Sequence, residues 1–324
     1  MQHVENKKAP WTAADIPDLK GRTAIVTGAS AGLGLETARR LAEHGARVVL
    51  ACRNAEKAAA AAEVIRQTVP GAELPFLELD LTSLKSIHSA AARLHDDFEQ
   101  IDLLVNNAGT LSRERTVTED GFETVFATNH LGPFAFTGLT LDLLNAAPRA
   151  RVVTVTSGLP AQKGTWLELD DLTYERRAYK AYPVYAQSKQ ANASFAFELQ
   201  RQLNGTASQL ISVLAHPGAA ESDFAQNFGP AVALLSRPAL RWAFRIIMQT
   251  VEMGALPSLR AATDPAVRGG DFYGPTGATK GYPVPNEAGE QTRDPELAAR
   301  LWAESERLTG VTYRFDQLTD SVAK

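Results

Sequence analysis

Cysteine is nearly absent. Cys52 is the single thiol of the 324-residue chain, so no disulfide can form within it and a thiolate zinc cage is excluded. The six histidines, His3, His44, His88, His95, His130 and His216, fall at spacings that match no metal-ligand pattern, and no metal is expected. Basic charge is not in excess. The net charge of −4 provides no electrostatic footprint for nucleic acid. Long apolar runs are missing too: no stretch approaches the roughly 18 residues of a spanning helix. The polar start, residues 1–9, leads into no apolar h-region, so no secretory signal is read there. A reducing, cytoplasmic setting is expected.

What remains is ordinary globular composition, 44% hydrophobic and 22% charged, enough for one large α/β domain or two smaller ones. After a polar arm (1–20), short apolar runs alternate with helical patterns. Strands are expected at 23–27, 47–52, 74–79, 103–106, 152–156 and 210–215. Between them, 33–44 carries Leu35, Ala38, Leu41 and Ala42 on one face and stops at Gly45, and 54–68 is an alanine-rich helix. Thr82 is a candidate N-cap for the next helix. Near-continuous apolar strands separated by helices predict a mainly parallel sheet of about seven strands with helices on both faces, a single doubly wound α/β domain. That domain is expected over 21–285, followed by a C-terminal helical extension over 286–324 packed on the core. In the extension Asp294 fits an N-cap, Pro295 the first helical position and Gly310 the stop, with Leu297, Leu301, Trp302 and Leu308 on or near one stripe.

The first strand runs into Thr27-Gly28-Ala29-Ser30-Ala31-Gly32-Leu33-Gly34. Glycines between a strand and a helix let the backbone turn tightly and approach a pyrophosphate. The helix N-terminus adds N–H donors and a favourable dipole. The spacing is G-x-x-x-G-x-G, not G-x-G-x-x-G, and no Gly-Lys-Ser/Thr makes it a P-loop. A plain structural turn is the competing reading; the strand before and the helix after favour a nucleotide. At the end of the second strand stands Ala51-Cys52-Arg53-Asn54, where an NAD site places an acidic residue about 20 residues past the glycines. No carboxylate is present, and the guanidinium fork of Arg53 matches a 2′-phosphate. NADP(H) is therefore expected, with a solvated arginine at a strand end as the alternative.

Tyr185 and Lys189 share one helical face in Tyr185-Ala186-Gln187-Ser188-Lys189. An ammonium beside a phenol favours phenolate and draws its pKa down from about 10, which suits a general acid/base. Alone, the pair also fits a surface lysine over a half-buried tyrosine. The other motifs change that balance.

In order, the glycine turn at 27–34, Asp80-Leu81, Asn106-Asn107-Ala108-Gly109, Asn129, Ser157, Tyr185 with Lys189, and Pro217-Gly218 resemble the short-chain dehydrogenase/reductase family and its Rossmann-type fold. The resemblance covers roughly residues 20–285. The Ala51-Cys52-Arg53-Asn54 run and His216-Pro217-Gly218 are most similar to the subgroup of retinol dehydrogenases, protochlorophyllide reductases and their bacterial relatives. It implies that Tyr185 is the general acid/base, that Lys189 lowers its pKa and binds the nicotinamide ribose, that Ser157 hydrogen-bonds the substrate oxygen, and that Asn129 helps hold a water in a proton relay. It also implies a dinucleotide site. There Gly28, Ser30, Ala31, Gly32, Leu33 and Gly34 cradle the pyrophosphate, Arg53 and Asn54 flank the adenosine ribose, and Asp80 and Leu81 meet the adenine. Asn107, Ala108 and Gly109 line the adenine-ribose side, and Pro217 and Gly218 lie near the nicotinamide. Ser222 stands where the family commonly has a threonine for the carboxamide.

The expected function is an NADP(H)-dependent carbonyl reductase or alcohol dehydrogenase. Two other readings stay open: a non-catalytic NADP-binding sensor or scaffold, and an epimerase or dehydratase reusing the Tyr/Lys pair with a tightly kept NAD. Arg53 and the Asn106-Asn107-Ala108-Gly109 run argue against the latter. Ser157 lies in Thr-Ser-Gly-Leu rather than a G-x-S-x-G elbow, which sets a serine hydrolase aside. Segment 219–260 is apolar-rich, with Phe224, Phe228, Leu234, Leu235, Trp242, Phe244, Ile246, Ile247 and Met248. It is expected either to cover a hydrophobic carbonyl or alcohol or simply to pack the core. Arg237, Arg241 and Arg245 beside it read as a solvated face before an anionic surface or an acidic substrate tail. Ala191, Ala193 and Ala196 permit close helix packing, and the resemblance implies a homodimer or homotetramer paired through the helix carrying Tyr185. His130 and His216 are expected to be structural.

Overall fold

A computed structural model describes residues 9–158, 167–220, 248–277 and 279–318. Eight strands form one sheet: β1 (Thr23–Thr27), β2 (Arg47–Cys52), β3 (Phe76–Glu78), β4 (Leu103–Asn106), β5 (Arg151–Val155), β6 (Ile211–Ala215), β7 (Phe272–Pro275) and β8 (Pro283–Pro285). Their order is β3-β2-β1-β4-β5-β6-β7-β8. Every pairing is parallel except β7 with β8. The chain starts mid-sheet, winds outward to β3, returns to β4 beside β1, and winds the other way. That reversal opens a crevice beyond the carboxyl ends of β1 and β4.

The central strands are apolar without alternation because helices cover both faces. Ile25, Val49, Leu104 and Val152 face α3 (Leu84–Asp97), α5 (Gly132–Leu139) and α7 (Ala181–Leu203). Val26, Val48, Val105 and Val153 face α1 (Gly32–Glu43), α2 (Ala55–Thr68) and α8 (Val251–Thr263). Two short helices, α4 (Thr124–Phe126) and α6 (Leu141–Ala146), flank α5, and a π-helical turn (Ala127–Leu131) joins α4 to it.

The doubly wound parallel sheet matches the sequence expectation, with one strand more. The extra strand, β8, has three residues, two of them proline; proline cannot donate to a ladder and is confined to an edge. The third strand is shorter than expected, and Ser83 rather than Thr82 caps α3, accepting the Ser86 N–H at 3.3 Å. Thr82 is already taken: its N–H and hydroxyl both donate to Asp80 Oδ1, at 2.9 and 2.7 Å. The N-terminal arm is not loose throughout, since Ile16 and Leu19 are buried in the α1 side of the core.

The C-terminal helix α9 (Pro295–Thr309) is capped as the sequence predicts. Asp294 accepts the N–H groups of Glu296 and Leu297, and Gly310 closes the helix at φ 68°. α9 packs on α7, with Leu301 in one apolar cluster with Ala191. Beyond it, the Tyr313 hydroxyl donates to the Phe134 carbonyl at 2.6 Å, and Tyr313 joins Phe134, Phe195 and Trp302 in an aromatic cluster. Ala193 and Ala196 pack with Leu214 and Phe272 of the sheet. The three alanines that permit close helix packing are thus used within the chain.

Of the apolar segment 219–260, its last part lies in α8, where Ala255, Leu256 and Leu259 are buried against the core. Phe224, Phe228, Leu234, Leu235, Trp242, Phe244, Ile246, Ile247, Ser222 and the three arginines lie outside the described residues. Among the described residues no helix is long and apolar enough to cross a membrane, and no cluster of three potential ligands could hold a metal ion.

Candidate active site

A cavity of about 890 Å³ opens at the carboxyl ends of the parallel strands, within the range of small-molecule and cofactor sites. One end is the turn between β1 and α1. Gly28 and Gly32 have φ of 67° and 53°, left-handed values that favour glycine. At Gly34 a Cβ would run into the Gly28 carbonyl and come within 2.5 Å of Asn107 Nδ2. Only backbone fits there, so the turn is a bare cradle at a helix N-terminus, the chemistry a pyrophosphate requires.

The cradle is bolted to β4 through Thr27. Its buried hydroxyl accepts the N–H groups of Asn107 and Ala108, both at 3.0 Å. Asn107 Nδ2 returns a bond to the Thr27 carbonyl at 2.9 Å. At the end of β2, Arg53 and Asn54 line the cavity and are exposed. Among the described residues no carboxylate pairs with Arg53. Asn54 also has a local task, because its Oδ1 accepts the Lys57 N–H at 2.8 Å and caps α2. Lys57 lines the same end. Asp80 and Leu81 complete it, with Gly132 at the start of α5 pressed on the Leu81 backbone.

The other end is side chain. Tyr185 and Lys189 project from α7 into the cavity, and Ser157 lines it just past β5. Lys189 Nζ donates to the Val155 carbonyl at 3.0 Å and lies 5.8 Å from the centre of the Tyr185 ring. The Thr156 hydroxyl donates to the Lys189 carbonyl at 2.7 Å, tying α7 to the end of β5. Burial pushes the Tyr185 phenol up, with Tyr182 adding to it, and pulls Lys189 down to about 8. The sequence predicts a phenol lowered by the neighbouring ammonium. In this geometry loss of hydration outweighs that attraction and drives both groups toward neutrality.

Asn129 is not on the cavity wall. It sits in the π-helical turn, a distortion that often marks functional positions, and its side chain is spent on bracing. Oδ1 accepts the Thr110 N–H at 2.7 Å, and Nδ2 donates to the Thr110 carbonyl at 3.0 Å and to Ser188 Oγ at 2.9 Å. It therefore holds the loop after β4 against α7. Gly109 leaves the gap between them: a Cβ there would lie 3.4 Å from both Asn129 Oδ1 and Lys189 Nζ.

Pro217 and Gly218 close the cavity from β6. Gly218 has φ 65° and donates its N–H to His216 Nδ1 at 3.2 Å. Gln249 holds the same turn, with Nε2 donating to the Pro217 carbonyl and Oε1 accepting the Gly281 N–H at 3.1 Å.

Apart from Asn129 and Ser222, the residues marked in the sequence line this one cavity. Ser222 falls outside the described residues. Sequence reasoning missed Thr27 as a brace, Lys57 beside Arg53, Thr110, and Tyr182 at the start of α7. Tyr182 carried a readable signal, one helical turn from Tyr185, whereas Lys57 sits in the first turn of α2, past the strand end that carries Arg53. The task of Thr27 needs β4 as a neighbour and leaves no local trace.

Comparison with known proteins bears on the family and the fold. The model of the short chain dehydrogenase family matches residues 22–168. Retinol dehydrogenase 13 of Homo sapiens is 37% identical over 90% of this chain and 86% of its own length. Polyprenol dehydrogenase of Mus musculus is 37% identical over 91% and 86% respectively. Among solved structures, a putative uncharacterized protein from Mycobacterium Paratuberculosis is 35% identical, covers 94% of this chain and 99% of its own, and superposes with a TM-score of 0.76. An active-site complex of Pseudomonas aeruginosa RhlG with NADP is 26% identical, over 79% of this chain and 95% of its own, with a TM-score of 0.62.

Proposed function

The chain belongs to the short-chain dehydrogenase/reductase family, in its retinol-dehydrogenase-like branch, and on that premise we propose that it is an NADP(H)-dependent oxidoreductase interconverting a hydrophobic alcohol and its carbonyl, with Tyr185 as general acid/base. One observation carries the reading: a single cavity joins the glycine cradle and Arg53 at one end to Tyr185, Lys189 and Ser157 at the other. When bound, the nicotinamide supplies or accepts the hydride.

The chain's own groups do the rest. The turn from Gly28 to Gly34 holds the pyrophosphate with backbone N–H groups. Arg53 and Lys57 face the ribose 2′-phosphate, the fork of the one and the point charge of the other both suited to a dianion. Asp80, Leu81 and Asn107 to Gly109 flank the adenosine, and Pro217 and Gly218 flank the nicotinamide, with Ser222 next in sequence for the carboxamide. Lys189, partly neutralised by burial but still mostly protonated near pH 7 at a pKa of about 8, binds the second ribose and stabilises the phenolate. In reduction Tyr185 gives its proton to the substrate oxygen while Ser157 donates a hydrogen bond to it, opposing the charge that develops there. Asn129 keeps the loop of Thr110 against α7, fixing the distance between the two halves. Every one of these groups comes from one chain.

The names of the relatives support an apolar alcohol, since retinol and polyprenol are both long hydrocarbon alcohols. The bound NADP of RhlG supports the phosphorylated cofactor. The test is turnover of purified protein with NADPH and NADH against a panel of hydrophobic ketones, aldehydes and alcohols, alongside Tyr185→Phe. NADPH-linked turnover lost in the variant is expected. A clear preference for NADH would refute the role given to Arg53, and undiminished turnover in Tyr185→Phe would refute the acid/base.

A further inference from the structure

Three residues of α7 line the cavity: Tyr182, Tyr185 and Lys189. Spaced by three and four, they form one stripe along the helix. Exposure falls steeply along it, from 51% at Tyr182 to 7% at Tyr185 and 4% at Lys189. The stripe therefore runs from the mouth of the cavity to its floor, and Tyr182 is its outermost member. Beside Tyr185, the residues Leu111, Ala181 and Ala186 make an apolar cluster that backs this part of the stripe without lining the cavity.

A single exposed aromatic is unremarkable on a protein surface. The place of this one is not. Val64, Phe76, Val117 and Tyr282 are the other large exposed hydrophobic residues among those described, and none of them lines the cavity. Among the described residues the Tyr182 hydroxyl has no hydrogen-bond partner, and half of the side chain is exposed. A ring with a polar tip in water and an apolar face toward a groove is suited to a ligand that is itself apolar.

We propose that Tyr182 is a substrate-binding residue that selects for length. Its ring packs on the apolar body of the alcohol or carbonyl while the reacting oxygen lies one helical turn deeper at Tyr185. A long or planar hydrocarbon spans both residues; a compact substrate reaches Tyr185 without touching Tyr182. The inference rests on the reading of Tyr185 as the acid/base and adds to it the residue that sets substrate preference.

The experiment compares wild type, Tyr182→Phe and Tyr182→Ala on two alcohols at saturating NADP, one a long apolar primary alcohol and the other a short one. For the long alcohol, Tyr182→Ala is expected to lose about tenfold in kcat/KM, the worth of one aromatic contact. The loss should sit in KM with kcat nearly unchanged, as for a contact made equally in ground and transition states. The short alcohol should change by less than about twofold, and Tyr182→Phe should keep the wild-type preference. Equal losses on both alcohols, or none on either, would overturn the proposal. A second measurement does not depend on turnover: affinity of the long alcohol for the Tyr185→Phe protein with NADP bound, with and without Tyr182→Ala. A tenfold weakening there, in a protein whose wild type turns over nothing, would uphold Tyr182 and reject the acid/base reading. Unchanged affinity would reject Tyr182 alone.

Discussion

At the glycine turn the cavity wall is backbone: Gly28 and Gly32 at positive φ, and Gly34 with no room for a methyl group. At the other end the wall is side chain: the Tyr185 phenol and Lys189 ammonium of α7 and the Ser157 hydroxyl past β5, whose properties depend on what surrounds them. The first kind of wall dictates residue type outright, because a Cβ collides at Gly34 and the backbone is left-handed at Gly28 and Gly32. The second dictates it only through chemistry, and burial alters that chemistry, as the raised phenol of Tyr185 and the lowered ammonium of Lys189 make plain. Changes at the backbone end should therefore alter cofactor binding, and changes to the reacting hydroxyls of Tyr185 and Ser157 should alter rate.

Tyr185→Phe puts that division to its hardest test. It removes one hydroxyl from the catalytic end and leaves the cradle untouched. Turnover should fall by about 10²–10⁴-fold, the worth of general acid–base help, while the affinity for NADPH measured by fluorescence stays within about twofold. A matching loss of cofactor affinity would mean that the two ends are not separable.

The junction of the two ends supplies the next test. His216 accepts the Gly218 N–H through Nδ1, and burial lowers its pKa from 6.5 to about 4. The folded value lies below the unfolded one, so between them the unfolded chain binds more protons. Stability should fall as the pH drops from about 6.5 to about 4 and level off below, at up to about 1.4 kcal/mol per pH unit. His130, lowered to about 3 by complete burial, has the same sign. In His216→Asn, Oδ1 stands in for Nδ1 without titrating. Denaturant melts at a series of pH values should then give a shallower acid slope than wild type. Parallel slopes would show that the Gly218 turn does not sense this proton.

Arg53→Gln acts on the backbone end where it does use a side chain. Affinity for NADPH should drop about tenfold or more, as expected for a charge-assisted contact to phosphate, with NADH affinity unchanged. Equal effects on the two cofactors would place the guanidinium away from the 2′-phosphate.

The same division explains what could be read in advance. The glycines were legible because steric exclusion writes itself into spacing. The inner strands β1, β2, β4, β5 and β6 were legible because cover on both faces demands continuous apolar runs. What escaped depends on neighbours distant in sequence. The Thr27 hydroxyl is occupied only because residues 107 and 108 come alongside it. Ser83 caps α3 because Asp80 has already claimed Thr82. The π-helical turn at Asn129 is bound to Thr110 and Ser188, neither visible from its own window. Ala191, Ala193 and Ala196 read equally well as a pairing surface or as core. They are core because α9 folds back on α7 and β6 and β7 lie beneath it. The two prolines of β8 hid a strand that only an edge can tolerate.

Asn54 is the place where the two kinds of wall overlap, and it sets the smallest effect. Its side chain lines the cofactor end but is already engaged as the N-cap of α2 through the Lys57 N–H. Asn54→Ala should cost about 1 kcal/mol of stability, the usual worth of a cap, and should change NADPH affinity little beyond that. Asn54→Asp should keep the cap, since a carboxylate suits a helix N-terminus, yet weaken NADPH severalfold by repelling the 2′-phosphate while leaving NADH alone. Thermal melts and paired cofactor titrations separate the two. If the Asp variant binds both cofactors like wild type, Asn54 is only a cap, and recognition of the phosphate rests on Arg53 and Lys57 across a wider gap. If the Ala variant loses NADPH affinity well beyond its loss of stability, the amide itself touches the cofactor, and its hydrogen bond to Lys57 must be given up or shared on binding.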